Sequence, residues 1–163
     1  MSLLVELYRQ NLWANLRLVE ACAGLSEAQL DATVHGTAGS IRHTLLHIAG
    51  AEQRYVSLLG GPAPSQRVHE REGWPGIDGL RRGLQESGQA LIEIAASADP
   101  ERVLVRSYQG RTEHLPISTV LVQVINHATE HRSQVATILT QQDVEPPDMS
   151  GWAYGASKES AAG

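Results

Sequence analysis

The chain has 163 residues, a length that can bury its own core as one domain without covalent staples. Its 13 Lys+Arg against 18 Asp+Glu, a formal net charge of -5, exclude nucleic acid and an anionic membrane surface as partners, because both demand a concentrated basic footprint. The lone Cys22 excludes an internal disulfide and a thiolate-rich zinc finger, and the absence of Phe leaves Leu, Val, Ile and Ala to fill the interior, which suits closely packed helices.

The opening Met1-Ser2-Leu3-Leu4-Val5-Glu6 has no basic stretch ahead of its apolar residues, so it does not read as a signal peptide. No apolar run approaches the ~20 residues that cross a bilayer, and a cytoplasmic location is expected. From Ser2 to about Ala23 the residues Leu4, Tyr8, Leu12, Val19 and Cys22 recur at three- and four-residue spacing, which predicts an amphipathic helix ending at Gly24. Ser26 to Leu30 adds a single turn, and residues 35–39 read as loop. Ser40 is placed to cap a second long helix to about Leu59, with Ile41, Leu45, Ile48, Tyr55 and Leu59 as its stripe and Gly60-Gly61-Pro62 as its stop.

Residues 62–76 form a polar connection punctuated by Pro and Gly. A third long helix follows from about Ile77 to Ser97, broken by Asp99-Pro100. The β-rich segments 103–108 and 112–116 flank Gln109-Gly110-Arg111 and predict either a short hairpin or a loop. The last long helix runs from about Ile117 to Gln141 with Ser118 as its prospective cap. Beyond about residue 142, Pro146-Pro147 and the Gly/Ala/Ser-rich end from Gly155 read as a tail. The expected fold is all-α: one domain over 1–163, built as a four-helix bundle.

Seven histidines are many for this length, and their spacing matters more than their number. His127 and His131 are four apart on the last helix, so their side chains share one face. With Val120 as origin and about 100° per residue, Val124, Val135 and Ile138 lie between ~0° and ~60°, His131 near ~20° and His127 near ~340°. An apolar face carries two imidazoles at a cost unless something binds them, and i, i+4 imidazoles can reach one ion at ~2.0–2.1 Å. The second helix offers His43 and His47. Measured from Ile41, His47 falls near ~240° and His43 near ~200°, so His47 is at the margin of the buried face and His43 further toward solvent. His35, His69 and His114 fall in loop or hairpin segments and read as solvated.

Two charges break the apolar stripes. Glu52 falls inside the stripe of the second helix, and Arg132 among Leu121, Ile125 and Ala128 on the last. A buried charge demands a partner; the expectation is that Glu52 and Arg132 meet, or that each holds a hydrogen bond inside the bundle, unless snorkelling carries their heads to water. Tyr8, Trp13, Tyr55 and Trp74 serve either core packing or a pocket.

Asn11-Leu12-Trp13-Ala14-Asn15, the segment Gly39-Ser40-Ile41-Arg42-His43-Thr44-Leu45-Leu46-His47-Ile48-Ala49-Gly50-Ala51-Glu52, and His127-Ala128-Thr129-Glu130-His131-Arg132-Ser133-Gln134 together resemble the DinB-like (damage-inducible) superfamily. The closing Pro147-Asp148 with Trp152 and Tyr154 is similar too. The resemblance spans nearly the whole chain and implies a four-helix bundle, often a homodimer, with a three-histidine metal site. Carried over by position, the ligands are His47, His127 and His131, with His43 left out; zinc or nickel is the implied ion, and Glu52, Arg132 and Gln134 match motif positions around the site.

A divalent ion on three neutral imidazoles can lower the pKa of a bound water or take a thiolate. Two enzyme classes follow: metal-dependent hydrolysis, and transfer or isomerisation that depends on a low-molecular-weight thiol. A non-catalytic metal-binding stress-response protein is the reading from another class. No residue stands out as a general acid or base, since Glu130 lies near ~280° on its wheel, off the main stripe.

Overall fold

The apolar stripes of four helices meet around a shared interior in the computed structural model, which describes residues 2–162 and the side chains of residues 2–160. The long helices are α1 (Leu3–Ala21), α3 (Ile41–Leu58), α4 (Gly76–Ser97) and α5 (Ile117–Gln141). α1 packs against α4 and α5, and α3 also packs against α4 and α5, which closes the bundle. Two shorter helices, α2 (Glu27–Leu30) and α6 (Gly151–Ala162), lie outside it. Among the described residues no helix is long and apolar enough to cross a membrane.

The helix boundaries follow local chemistry. Ser40 accepts the His43 N–H and caps α3, and Ser26 with Gln29 forms a full capping box on α2. Ser118 is not a cap. Strand β2 runs straight into α5, whose first N–H, that of Ile117, is satisfied by the Arg102 carbonyl at 2.9 Å, so Ser118 already lies inside the helix. The hairpin pairs β1 (Val103–Tyr108) with β2 (Arg111–Pro116) in antiparallel register, Val103 opposite Pro116 and Tyr108 opposite Arg111. Gln109 and Gly110 have φ of 49° and 74°, the left-handed pair that a two-residue hairpin turn requires.

The core is divided. At one end Leu18, Ile41, Leu45, Ile48, Leu80, Leu84 and Ile138 pack together. At the other, Tyr8, Val56, Leu91, Val120, Leu121 and Val124 do. Each long helix also buries polar side chains, which join in one hydrogen-bonded layer: Asn11 and Asn15 on α1, Glu52 on α3, Ser87 on α4 and Arg132 on α5. This layer fixes the rotation of each helix, because burying such groups is tolerable only when their hydrogen bonds are made.

The segment read as a tail differs from expectation in its last part, which is the helix α6. Tyr154 packs on Trp13 with ring centroids 5.5 Å apart and donates its hydroxyl proton to Glu6, and Lys158 pairs with the same carboxylate. Its sequence shows little amphipathic periodicity because it rests on α1 through only a few side chains.

Candidate metal centre

α5 presents His127 and His131 on successive turns, and α3 brings His47 opposite them. The ligand atoms of these three residues all lie within 4.8 Å of one another. His47 Nε2 is 3.0 Å from His127 Nε2, and the ring centroids are 4.9 Å apart for His47 and His127, 4.7 Å for His47 and His131, and 4.5 Å for His127 and His131. Nitrogens sharing a tetrahedral ion at ~2.0–2.1 Å are about 3.3 Å apart, so small rotations bring all three onto one ion. His131 is buried, and His47 and His127 are half-buried at the open side.

Two of the rings are oriented from behind. His47 Nδ1 lies 2.6 Å from Glu70 Oε1, and His131 Nδ1 lies 2.9 Å from Gln134 Oε1. Both partners are acceptors, so each Nδ1 carries the proton and donates, which leaves Nε2 with its lone pair turned toward the cluster. Gln134 is itself held, because its Oε1 also accepts the Ala38 N–H. Burial, together with His131, His47 and Arg54, depresses the His127 pKa to about 4, so this ring is neutral at physiological pH. Three imidazoles within reach of one another fit a divalent-metal site.

Glu70 is the site residue that sequence reasoning missed. It lies in the 62–76 connection, and the structure shows what pins that connection to α3. Buried Gln53 accepts the Val68 N–H at 2.9 Å and donates to the Gln66 carbonyl at 3.0 Å. Gly50 lets the strap lie close, since a Cβ there would stand 2.9 Å from the Val68 carbonyl oxygen. Burial raises the Glu70 pKa, but its own backbone N–H, His47 and Arg54 outweigh that and hold it below the usual carboxylate value. It is therefore ionised at neutral pH.

His43 is exposed and stacks nearly parallel to His47 at 6.4 Å, outside the triad. His35 and His114 are exposed as expected, whereas His69 is partly buried and accepts the Arg71 N–H at 3.0 Å. Of the aromatic residues, Tyr55 sits edge-on to His127 at 6.0 Å, beside the triad. The others are packing residues: Tyr8 is buried and donates to the Leu121 carbonyl, Trp13 packs on Tyr154, and Trp74 lies under the Arg42 guanidinium at 4.8 Å.

Glu52 and Arg132 are both buried, at 2% and 4% exposure, but they do not touch directly. Asn11 and Asn15 stand between them. Their Nδ2 groups donate to Glu52 Oε1 at 2.9 and 2.8 Å, and their Oδ1 atoms accept from Arg132 Nη1 at 2.7 and 2.6 Å. Ser87 donates to Glu52 Oε2, and Arg132 Nη2 donates to Thr129. Of the two expected arrangements, a direct meeting or separate hydrogen bonds inside the bundle, the structure has the second, with Asn11 and Asn15 as the bridge, and burial excludes snorkelling.

Fold and site define a helical-bundle protein with a histidine cluster suited to a divalent metal. The sequence pattern that defines the DinB family matches residues 1–161, and the chain belongs to that family. In its fold it is similar to the crystal structure of a DinB-like protein from Bacillus cereus, with a TM-score of 0.68 and 16% identity over 88% of this chain and 93% of that one. No curated protein matches the chain.

Proposed function

We propose that His47, His127 and His131 hold a divalent cation, zinc or nickel, and that the protein uses it in transfer or isomerisation chemistry that depends on a low-molecular-weight thiol. The observation that carries the metal assignment is the pair of fixed Nδ1 groups. Glu70 and Gln134 set the His47 and His131 tautomers so that both Nε2 lone pairs face the cluster. A structural histidine cluster has no need of such an arrangement.

When bound, the cation supplies Lewis acidity next to the half-buried rings of His47 and His127. The chain's own residues supply orientation. Glu70 accepts the His47 proton, Gln134 that of His131, and the Asn11/Asn15/Glu52/Arg132 layer fixes the facing of α3 and α5. The thiol reading is favoured over hydrolysis by what surrounds the triad. The carboxylate touching it, Glu70, is engaged on His47, and Glu130 is exposed. A thiol brings its own nucleophile and asks for no separate general base.

The test is turnover of a panel of small electrophiles by metal-loaded protein with and without added thiol. Activity that requires the thiol supports the proposal. Thiol-independent turnover points instead to a hydrolase. A metal-dependent rise in melting temperature with no turnover under either condition points to a non-catalytic metal-binding protein of stress response.

A further inference from the structure

Beside the triad a pocket of about 340 Å³ opens to the surface, lined by His43, Arg54, His69, Glu70 and Arg71. In a chain of net charge -5 this wall is a local reversal of sign. It combines two guanidinium groups and two imidazoles with a single carboxylate, and that carboxylate is already committed. Glu70 Oε1 lies 2.6 Å from His47 Nδ1, Oε2 faces His69 at 3.5 Å and Arg54 at 3.7 Å, and the side chain is only 16% exposed.

The guanidinium groups are not similarly occupied. The Arg54 side chain is 48% exposed, and its 3.7 Å approach to Glu70 is longer than a hydrogen bond. Arg71 is exposed and forms no ion pair with any described residue. Arg54 is also tied to the triad in space: its charge bears on His127, and its Nη1 lies over Gly50, one turn from His47. Planar guanidinium groups recognise carboxylates by paired charge-assisted hydrogen bonds, a geometry suited to an anionic end group approaching from solvent.

We propose that this pocket binds a carboxylate-bearing small molecule, its anionic end between Arg54 and Arg71 and its other end at the His47, His127 and His131 cluster. The inference rests on the metal-site reading above for what happens at that far end, and it narrows the thiol cosubstrate to an anionic one.

Calorimetric titration with three probes tests it: mercaptosuccinate, the uncharged 1-thioglycerol, and succinate, which has no thiol. Zinc-loaded protein is expected to bind mercaptosuccinate about tenfold or more tightly than 1-thioglycerol. Arg54→Gln and Arg71→Gln each lose most of that margin, Arg71→Gln at unchanged zinc content, and Arg54→Lys keeps part of it. Both arginines are on the surface, and Arg71 makes no ion pair with Glu70, so its variant reports on the pocket without disturbing the His47 support. Equal affinity for the two thiols, or a margin indifferent to both arginines, overturns the proposal. Succinate on metal-free protein separates the two readings. Succinate binding that depends on Arg54 and Arg71, in a protein that takes up no stoichiometric zinc, upholds the anion pocket and removes the metal site; stoichiometric zinc with no arginine dependence does the reverse.

Discussion

Glu52 and Arg132 are joined through Asn11 and Asn15, each asparagine giving one hydrogen bond to the carboxylate and taking one from the guanidinium. The amides act as adaptors that turn toward each charge the group it needs. Losing either asparagine leaves both buried charges short of a partner. Asn15→Leu is therefore expected to lower unfolding free energy by about 2–4 kcal/mol. An exposed ion pair has no such reach: breaking the surface contact between Arg81 and Glu20 by Glu20→Gln should change stability far less. Urea unfolding of the two variants beside the parent measures both, and equal effects contradict the assignment.

Glu70 orients His47 without joining the donor cluster. Glu70→Ala is expected to lower metal affinity about 10- to 100-fold, the usual effect of losing a carboxylate behind a ligating histidine. Gly50→Ala should act in the same direction, because a methyl 2.9 Å from the Val68 carbonyl displaces the strap that carries Glu70. Competition titration against a chromophoric chelator reads both constants; unchanged affinity in Glu70→Ala contradicts the role.

His127 makes the metal-free protein sensitive to acid. Its folded pKa is about 4, depressed mainly by burial from an ordinary value of 6.5. The unfolded chain therefore takes up this proton first as pH falls. The stability contributed by the neutral ring is full above about pH 6.5 and is lost as pH drops toward 4. Thermal melts of metal-free protein at pH 7.5 and 5 should show a larger drop for the parent than for His127→Leu. Equal drops would mean that the ring titrates normally.

α6 rests on α1 through Trp13, Tyr154, Glu6 and Lys158, away from the histidine cluster. Removal of residues 151–163 is expected to lower the melting temperature by several degrees, about 2–4 °C for each kcal/mol lost, and to leave metal stoichiometry unchanged. Metal content and a thermal melt of the truncated chain check both halves.

Much of this arrangement is legible in the sequence because it is periodic. The stripes of α1, α3, α4 and α5 locate the bundle, and the same wheel places His127 and His131 on a buried face. Glu52 and Arg132 announce a buried network by interrupting apolar stripes. Asn11 and Asn15, four apart on α1, carry the same signal, but their bridging role depends on which helix faces α1. His47 is marginal on its own wheel and is chosen over His43 only through the family motif. Glu70 leaves no trace, since it sits in an aperiodic connection whose course is set by Gln53 and Gly50 on a different element. α6 escapes because small residues on a lightly packed helix resemble those of a tail.

In the proposed site three histidines share one divalent ion. Elemental analysis of the purified protein and of His47→Ala, His127→Ala and His131→Ala tests it most directly. The expected result is about one equivalent of zinc or nickel per chain in the parent and a large loss in each variant. Stoichiometric metal that survives both His47→Ala and His131→Ala would contradict the account.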